Sequence, residues 1–97
     1  MSAEEVSCDW TLYLLRSSVL RSTYAGIAMD VDRRLEQHNG ERPGGAKSTR
    51  RGRPWNVVAT WGPFADRATA QRAEYALKQL SGDARLAFEW SEPRDPT

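Results

Sequence analysis

Arg34 and His38 have the side-chain types and the spacing that could hold an anion. They lie one helical turn apart, at the margin of the apolar face that Val31 and Leu35 form on a predicted helix. A partly buried guanidinium requires an anionic partner. Few acidic residues are close by in the sequence, so either an acid arrives from elsewhere in the fold or the site binds an anionic ligand.

The predicted helix that carries this pair has clear signals at both ends. Asp30 is the expected N-cap, because its carboxylate can accept hydrogen bonds from amides that the first helical turn leaves unpaired. Asp32 adds negative charge near the positive end of the helix dipole. Gly40 can adopt the left-handed conformation that ends a helix. Arg33 points nearly opposite to the face of Val31 and Leu35, which assigns Arg33 to the solvent face.

Two predicted strands precede the helix. Residues 10–15 carry apolar or aromatic side chains on both faces, which predicts a central strand that is covered on each side. A loose turn leads into a second strand, residues 22–28. Antiparallel pairing of the two strands would bring Tyr13 close to Tyr24, and Gly26 would leave room for a backbone or a ligand to approach.

A basic, glycine-rich loop follows the helix, from Asn39 to Pro54. The stretch from Arg42 to Arg53 contains five basic residues and no acid, in a chain whose net charge is only +1. Such a local patch favours a directed phosphate contact over general adhesion, although the spacing of a Walker phosphate loop is absent. A plain solvated loop is the alternative. The predicted nucleic-acid contacts are Lys47, Arg50, Arg51 and Arg53.

One more strand and a long helix complete the predicted order of elements. Residues 55–61 form the third strand, which Gly62-Pro63 would end. Asp66 is the predicted N-cap of a helix that reaches about Leu80, and residues 83–88 form a short further helix. The apolar stripe of the long helix consists of Ala70, Ala73, Leu77 and Leu80.

Length and composition indicate one globular domain. A chain of 97 residues with 39% hydrophobic content and four Trp suits a single core. The domain is expected over residues 10–88, between a flexible acidic N-terminal tail, residues 1–9, and a flexible C-terminal tail, residues 89–97. The single cysteine, Cys8, excludes an internal disulfide. With no apolar run long enough for a signal peptide or a membrane span, we expect a cytoplasmic protein without membrane contact.

Taken in order, these features resemble the GIY-YIG nuclease domain. The strand motif Thr11-Leu12-Tyr13 and the motif Tyr24-Ala25-Gly26 are degenerate forms of the two tripeptides that name the family, with their tyrosines eleven residues apart. The helix with Arg34 and His38 follows them. Glu74 then lies on the second helix, at the border of its apolar stripe. The resemblance covers roughly residues 10–88 and implies an α+β fold, a three-stranded antiparallel sheet flanked by helices in the order β-β-α-β-α-α.

The resemblance also implies a function, metal-dependent endonucleolytic cleavage of DNA. Arg34 would bind the phosphate and stabilise charge in the transition state. Glu74 would be the protein ligand of Mg²⁺ or Mn²⁺, with waters and substrate phosphate as the other ligands. One of Tyr13 and Tyr24 would activate water and the other would contact phosphate, and the sequence does not decide which. His38 would bind phosphate or relay a proton.

Each of these assignments has an alternative that the sequence leaves open. Glu74 could be a solvated helix residue, Arg34 could form a salt bridge to Asp30, and either tyrosine could serve packing alone. His38, the only histidine, could be structural. For the whole protein, the alternatives are a non-catalytic nucleic-acid-binding module that retains the fold and a protein-interaction module that uses exposed Trp residues. Without a second recognition domain, a protein partner or DNA shape would supply specificity. The oligomeric state stays open.

Overall fold

Three antiparallel strands form one sheet in the order β2-β1-β3. In the computed structural model, which describes residues 9–91, β1 spans Trp10–Ser17, β2 spans Thr23–Ala28 and β3 spans Trp55–Phe64. The predicted central strand is confirmed, because β1 pairs with β2 on one side and with β3 on the other. The register places Tyr13 of β1 directly opposite Gly26 of β2.

One helix packs on each face of this sheet, α1 over Val31–His38 and α2 over Arg67–Lys78. Strand alternation directs Leu12 and Leu14 toward α2, whereas Tyr13 points toward α1. Both faces of β1 are therefore buried, as its two apolar faces predicted. The core on the α2 side consists of Leu12, Leu14, Ala25, Phe64, Ala70, Ala73 and Leu77.

Both predicted helix caps are confirmed. The Asp30 carboxylate accepts a hydrogen bond from the Arg33 amide at 3.0 Å, and the Asp66 carboxylate accepts one from the Thr69 amide at 2.7 Å. Gly40 follows α1 with φ +82°, the left-handed conformation expected at a helix end. These local signals fix where the helices begin, and thereby the direction in which α1 presents its side chains.

The end of the third strand differs from the prediction. Strand β3 does not stop at Gly62-Pro63 but continues to Phe64, which pairs with Trp10. Proline lacks an amide donor, and an edge strand tolerates this loss where its pairing is irregular. The β1–β3 register shifts between Trp10 and Leu12, which is where Pro63 lies. The predicted short helix over residues 83–88 is a 3₁₀ helix, Gly82–Ala87, and not an α-helix.

The long loop between α1 and β3 is held at several points. The Asn39 side chain donates to the Trp55 carbonyl at 3.0 Å and accepts from the Trp55 amide at 2.6 Å. Within the loop, Lys47–Thr49 forms a 3₁₀ turn. The Trp55 indole N–H donates to the Thr49 carbonyl at 2.8 Å. The basic segment is therefore attached to the end of α1 and to the start of β3.

At its C-terminal end, the domain packs slightly further than residue 88. The Trp61 indole N–H donates to the Phe88 carbonyl at 3.0 Å, and Trp90 packs against the α2-side core. Of the predicted tails over residues 1–9 and 89–97, residues 1–8 and 92–97 lie outside the described residues. No helix within residues 9–91 has the length and apolar character that crossing a membrane requires.

Candidate active site

The two tyrosines of the sheet lie on the face that α1 covers. Tyr13 pairs with Gly26 and Leu15 pairs with Tyr24, so both phenols project from the same side. Tyr13 is only 1% exposed, and a Cβ atom placed on Gly26 would lie 2.5 Å from its Oη. The space that Gly26 leaves open is therefore filled by the Tyr13 phenol. Tyr24 is half-buried and lies on the edge strand.

His38, in the last turn of α1, joins the two tyrosines. Its Nε2 lies 2.9 Å from Tyr13 Oη and its Nδ1 lies 3.0 Å from Thr49 Oγ1. The His38 ring also packs against Tyr24, with 4.7 Å between the ring centroids. His38 is completely buried and both of its ring nitrogens are hydrogen-bonded within the protein. It thus contacts Tyr13 directly and is shielded from solvent.

Burial keeps this pair uncharged. Burial of the Tyr13 phenol, helped by the neighbouring Tyr24, raises the pKa of Tyr13 to about 12, even though the nearby Arg34 guanidinium acts to lower it. Burial of the His38 ring, together with the positive charges of Arg34 and Arg53, lowers the pKa of His38 to about 4. At neutral pH, Tyr13 is therefore a protonated phenol beside a neutral imidazole.

Arg34 is half-buried one turn before His38 and is held by neutral partners. Its Nη1 donates to Gln37 Oε1 at 2.7 Å and to the Gly44 carbonyl at 2.8 Å. The alternative salt bridge to Asp30 does not form, and no carboxylate of residues 9–91 pairs with Arg34. Gln37 and the Gly44 carbonyl thus orient the Arg34 guanidinium, and its positive charge stays available to bind an anion.

Glu74 approaches the tyrosines from α2, on the other face of the sheet, at the β2 edge. Its carboxylate is 3.1 Å from Lys78 Nζ, which in turn lies 6.0 Å from the centre of the Tyr24 ring. The charge of Glu74 also contributes to the raised pKa of Tyr13, after the larger effects of burial and Tyr24. The carboxylate therefore lies within electrostatic reach of the Tyr13 phenol. The Glu74 side chain is 22% exposed, so one face of it is open to solvent.

The donor set around Glu74 suits a sparsely coordinated metal ion. The described residues contain no group of three or more His, Cys, Asp and Glu side chains that could enclose a metal. A single accessible carboxylate fits Mg²⁺, which commonly keeps several waters and binds through one or two carboxylates plus substrate phosphates. Glu74 fits that pattern.

A groove of about 480 Å³ opens beside Tyr24 toward the basic loop. Arg51 and Ser48 line it on the loop side, whereas Ser22 and Thr23 line it on the strand side. Lys47 and Arg50 are exposed on the same loop. The groove therefore brings a guanidinium and several hydroxyls next to a candidate catalytic phenol.

Arg53 differs from the other predicted loop contacts. Its Nε donates to the His38 carbonyl at 2.7 Å, and its guanidinium packs over Gly40, which has no Cβ to obstruct it. Arg53 and Arg50 line a second groove of about 320 Å³. Arg53 therefore anchors the end of the loop to α1, and its contact with nucleic acid stays a prediction.

Two residues of this site were not singled out by the sequence, Gln37 and Thr49. Gln37 orients Arg34 from the same helix, and a glutamine three positions after an arginine is a weak signal. Thr49 is completely buried against His38. A threonine within a basic loop is usually interpreted as exposed to solvent, so no local pattern in the sequence could have identified Thr49 as a buried partner of His38.

Comparison with known protein families shows which family the chain belongs to. A family profile described as "GIY-YIG catalytic domain" matches residues 9–87. The chain belongs to the GIY-YIG nuclease family. A UPF0213 protein of Xanthomonas axonopodis pv. citri is 44% identical over 87 residues, which cover 88% of this chain and 79% of the relative. Another UPF0213 protein, from Sodalis glossinidius, is 47% identical over 72 residues, 74% of this chain and 64% of the relative.

A second group of relatives is much longer. A protein of Cryptosporidium parvum named "Structure-specific endonuclease subunit SLX1 homolog" is 39% identical over 71 residues, 73% of this chain but only 17% of the relative. This chain therefore corresponds to a small part of such proteins. The resemblance inferred from the two tyrosine tripeptides and the Arg34–His38 helix is confirmed, as is the GIY-YIG-like α+β fold.

Proposed function

We propose that this GIY-YIG protein is an endonuclease that uses a divalent metal to hydrolyse phosphodiester bonds in DNA. The observation that supports it best is the set of four groups centred on the buried phenol of Tyr13. The pKa of Tyr13 responds to the second phenol, Tyr24, to the Arg34 guanidinium, which has no acidic partner among residues 9–91, and to the accessible Glu74 carboxylate. These four residues are Tyr13, Tyr24, Arg34 and Glu74.

Arg34 is the proposed phosphate ligand. The Gln37 and Gly44 oxygens hold Nη1, so the guanidinium is oriented before the substrate arrives. Its planar fork can donate to two phosphoryl oxygens at once and stabilise the charge that develops on them. Lysine would supply the charge without the fork.

Tyr13 and His38 are the proposed proton-handling pair. The Tyr13 hydroxyl is in hydrogen-bond contact with His38 Nε2, and His38 is neutral because burial lowers its pKa to about 4, so Nε2 can accept this hydrogen bond. The contact directs the Tyr13 proton toward His38, and the phenol oxygen can then accept a hydrogen bond from the attacking water. Tyr24, which is less buried, would contact phosphate.

Glu74 is the proposed protein ligand of Mg²⁺ or Mn²⁺, and the bound ion would supply Lewis-acid stabilisation of the phosphoryl oxygens. Lys78 now pairs with the same carboxylate. An ion pair whose lysine is about half exposed contributes little stability. Replacing Lys78 by a metal ion as the partner of Glu74 would therefore cost little free energy.

The Lys78–Glu74 pair also supports a second candidate, a nucleic-acid-binding module that retains the fold without catalysis. In that case Lys78 would neutralise Glu74 permanently, and no divalent ion would bind. The two candidates differ in one measurable property, the dependence of DNA cleavage on a divalent ion and on the Glu74 carboxylate.

A role in DNA repair and a partner protein are further parts of the proposal. Relatives of this chain are named subunits of a structure-specific endonuclease, which supports a branched DNA substrate and a protein partner that supplies specificity. The grooves beside Tyr24 and Arg53 offer phosphate contacts through Arg50 and Arg51, but the described residues display no obvious base-reading element.

The deciding experiment is cleavage of supercoiled and branched DNA with Mg²⁺ or Mn²⁺. Glu74→Gln and Arg34→Ala should each reduce the rate by about 10²-fold or more, the scale on which a single charge-stabilising group contributes. Arg33→Ala, on the exposed side of α1, is the matched control and should leave the rate within about twofold. Metal-independent nicking, or nicking that survives Glu74→Gln, would contradict the metal site. DNA binding without any cleavage would favour the second candidate.

A further inference from the structure

Thr49 is a completely buried polar residue at the end of the 3₁₀ turn of the basic loop. Its Oγ1 has two partners, the Ala46 carbonyl at 2.7 Å and His38 Nδ1 at 3.0 Å. Its own carbonyl accepts a hydrogen bond from the Trp55 indole at 2.8 Å. Thr49 is thus connected on one side to the loop and on the other to the histidine that contacts Tyr13.

The direction of each hydrogen bond in this chain follows from counting protons. A carbonyl oxygen can only accept, so the single hydroxyl proton of Thr49 points to Ala46. Thr49 Oγ1 must then accept from His38, which places the imidazole proton on Nδ1. Because burial keeps His38 neutral, Nε2 carries a lone pair, and Tyr13 is the donor in the 2.9 Å contact.

We propose that Thr49 is a positioning residue that holds His38 in the Nδ1–H tautomer and thereby makes Nε2 the acceptor of the hydrogen bond from the Tyr13 hydroxyl. In the opposite tautomer, Nε2–H would donate to Tyr13 Oη. The phenol would then lose its acceptor, and the His38 proton would occupy the oxygen that is proposed to orient water. This inference rests on the proposed hydrolytic function for its kinetic consequence, but not for its structural content.

The hydrogen bonds that Thr49 orients run in one direction, from Tyr13 Oη–H to His38 Nε2, from Nδ1–H to Thr49 Oγ1 and from the Thr49 hydroxyl to the Ala46 carbonyl. No O–H or N–H bond breaks in this chain, so Tyr13 and His38 both stay uncharged. The Tyr13 oxygen, whose own proton is held by Nε2, can accept a hydrogen bond from the attacking water. No other residue of 9–91 contacts Nδ1 by a hydrogen bond.

The position of Thr49 also couples the loop to the phenol. Its neighbours Arg50 and Arg51 are exposed and line grooves on either side, whereas Thr49 itself points inward to His38. Displacement of the loop would withdraw Thr49 Oγ1 from Nδ1. The tautomer of His38 therefore depends on the loop that carries the predicted phosphate contacts.

The first test is the tautomer itself, measured by ¹⁵N NMR of the histidine side chain in the 97-residue chain at neutral pH. His38 is the only histidine, so the ring signals need no further assignment. The wild type should carry its proton on Nδ1. A proton on Nε2 in the wild type overturns the proposal without any variant being made.

The second test replaces the hydroxyl. Thr49→Val keeps the shape and removes the acceptor, and it should shift His38 toward the Nε2–H tautomer. Thr49→Ser restores the hydroxyl and should restore Nδ1–H. Thr69→Val removes a hydroxyl on α2, where the Thr69 side chain hydrogen-bonds to Arg72 and to the Asp66 carboxylate, and should leave the His38 signals unchanged. Retention of Nδ1–H in Thr49→Val overturns the proposal.

The kinetic arm separates positioning from general stability. Thr49→Val should reduce kcat for metal-dependent DNA cleavage by about 10²-fold, the lower end of what a positioned acid–base side chain such as Tyr13 contributes, with KM within about twofold. Thr49→Ser should recover most of the rate. Equal losses in both variants, or a tautomer shift without a change in kcat, would overturn the positioning role. A wild type that does not cleave DNA would refute the proposed function, while the NMR result would still decide the tautomer.

Discussion

Gly26 offers a direct way to displace the Tyr13 phenol without changing a polar group. In Gly26→Ala, the new Cβ would lie 2.5 Å from Tyr13 Oη and 2.8 Å from Cζ. Tyr13 is fully surrounded on the α1 side, so the ring must move and its hydrogen bond to His38 must lengthen or break. Gly26 does not have a positive φ, so the effect of the substitution comes from the contact and not from backbone strain.

The expected loss of stability combines three contributions. Overpacking a well-filled site costs about 1–3 kcal/mol, and loss of the Tyr13–His38 hydrogen bond costs about 1 kcal/mol. Replacing glycine reduces the conformational entropy of the unfolded chain, which raises the free energy of unfolding by about 0.4–1 kcal/mol and offsets part of this loss. The net destabilisation should be roughly 1–3 kcal/mol. For a domain of this size, that corresponds to a Tm about 4–8 °C lower for each kcal/mol.

Calorimetric Tm values and DNA cleavage rates should be measured for Gly26→Ala, Tyr13→Phe and the double variant. In Tyr13→Phe the closest atom to the new Cβ recedes from 2.5 to 2.8 Å, and no hydrogen bond to His38 remains to be broken. Gly26→Ala should therefore cost about 1 kcal/mol less in that background. Additive effects of the two changes, or a Gly26→Ala protein with wild-type Tm and cleavage, would refute the packing that we describe.

Three further predictions follow from the same structure. Because the folded-state pKa of His38 is lowered from 6.5 to about 4 beside Arg34 and Arg53, the unfolded state binds the extra proton first. The contribution of His38 to the free energy of unfolding should be constant above about pH 6.5 and fall by up to roughly 3 kcal/mol as the pH drops to 4. Urea unfolding of the wild type and of His38→Gln across this pH range is the check, because the variant should lack this decrease in stability. Asp30→Ala should lower the free energy of unfolding by about 1 kcal/mol because the α1 cap is lost, whereas Asp30→Asn, which can still cap, should lower it only slightly. Equal effects of the two variants in thermal unfolding would contradict the capping role. Arg51→Ala should lower the slope of log K for DNA binding against log salt by about 0.9, and an unchanged slope in fluorescence anisotropy titrations would remove Arg51 from the interface.

The elements that carry the site could be predicted because their signals are local. Asp30 and Asp66 cap helices through amides three residues away, and the two apolar faces of residues 10–15 indicate a strand buried on both sides. The prediction for β3 was wrong at Gly62-Pro63 because an edge strand with a register shift can accommodate a proline. The short final helix was predicted in the right place, but as the wrong type of helix.

The sequence by itself determined the family and the order of elements. It also predicted the residues that would carry the chemistry, Tyr13, Tyr24, Arg34, His38 and Glu74. Only the tertiary structure decided how they meet. In the folded protein, the Tyr13 phenol occupies the space next to Gly26. Glu74 approaches the β2 edge from the opposite face of the sheet, and Thr49 hydrogen-bonds to His38 Nδ1. The physical reason is that these arrangements depend on contacts between distant positions, 25 residues apart for Tyr13 and His38. No local propensity encodes such contacts, since the packing of the whole sheet and both helices sets them.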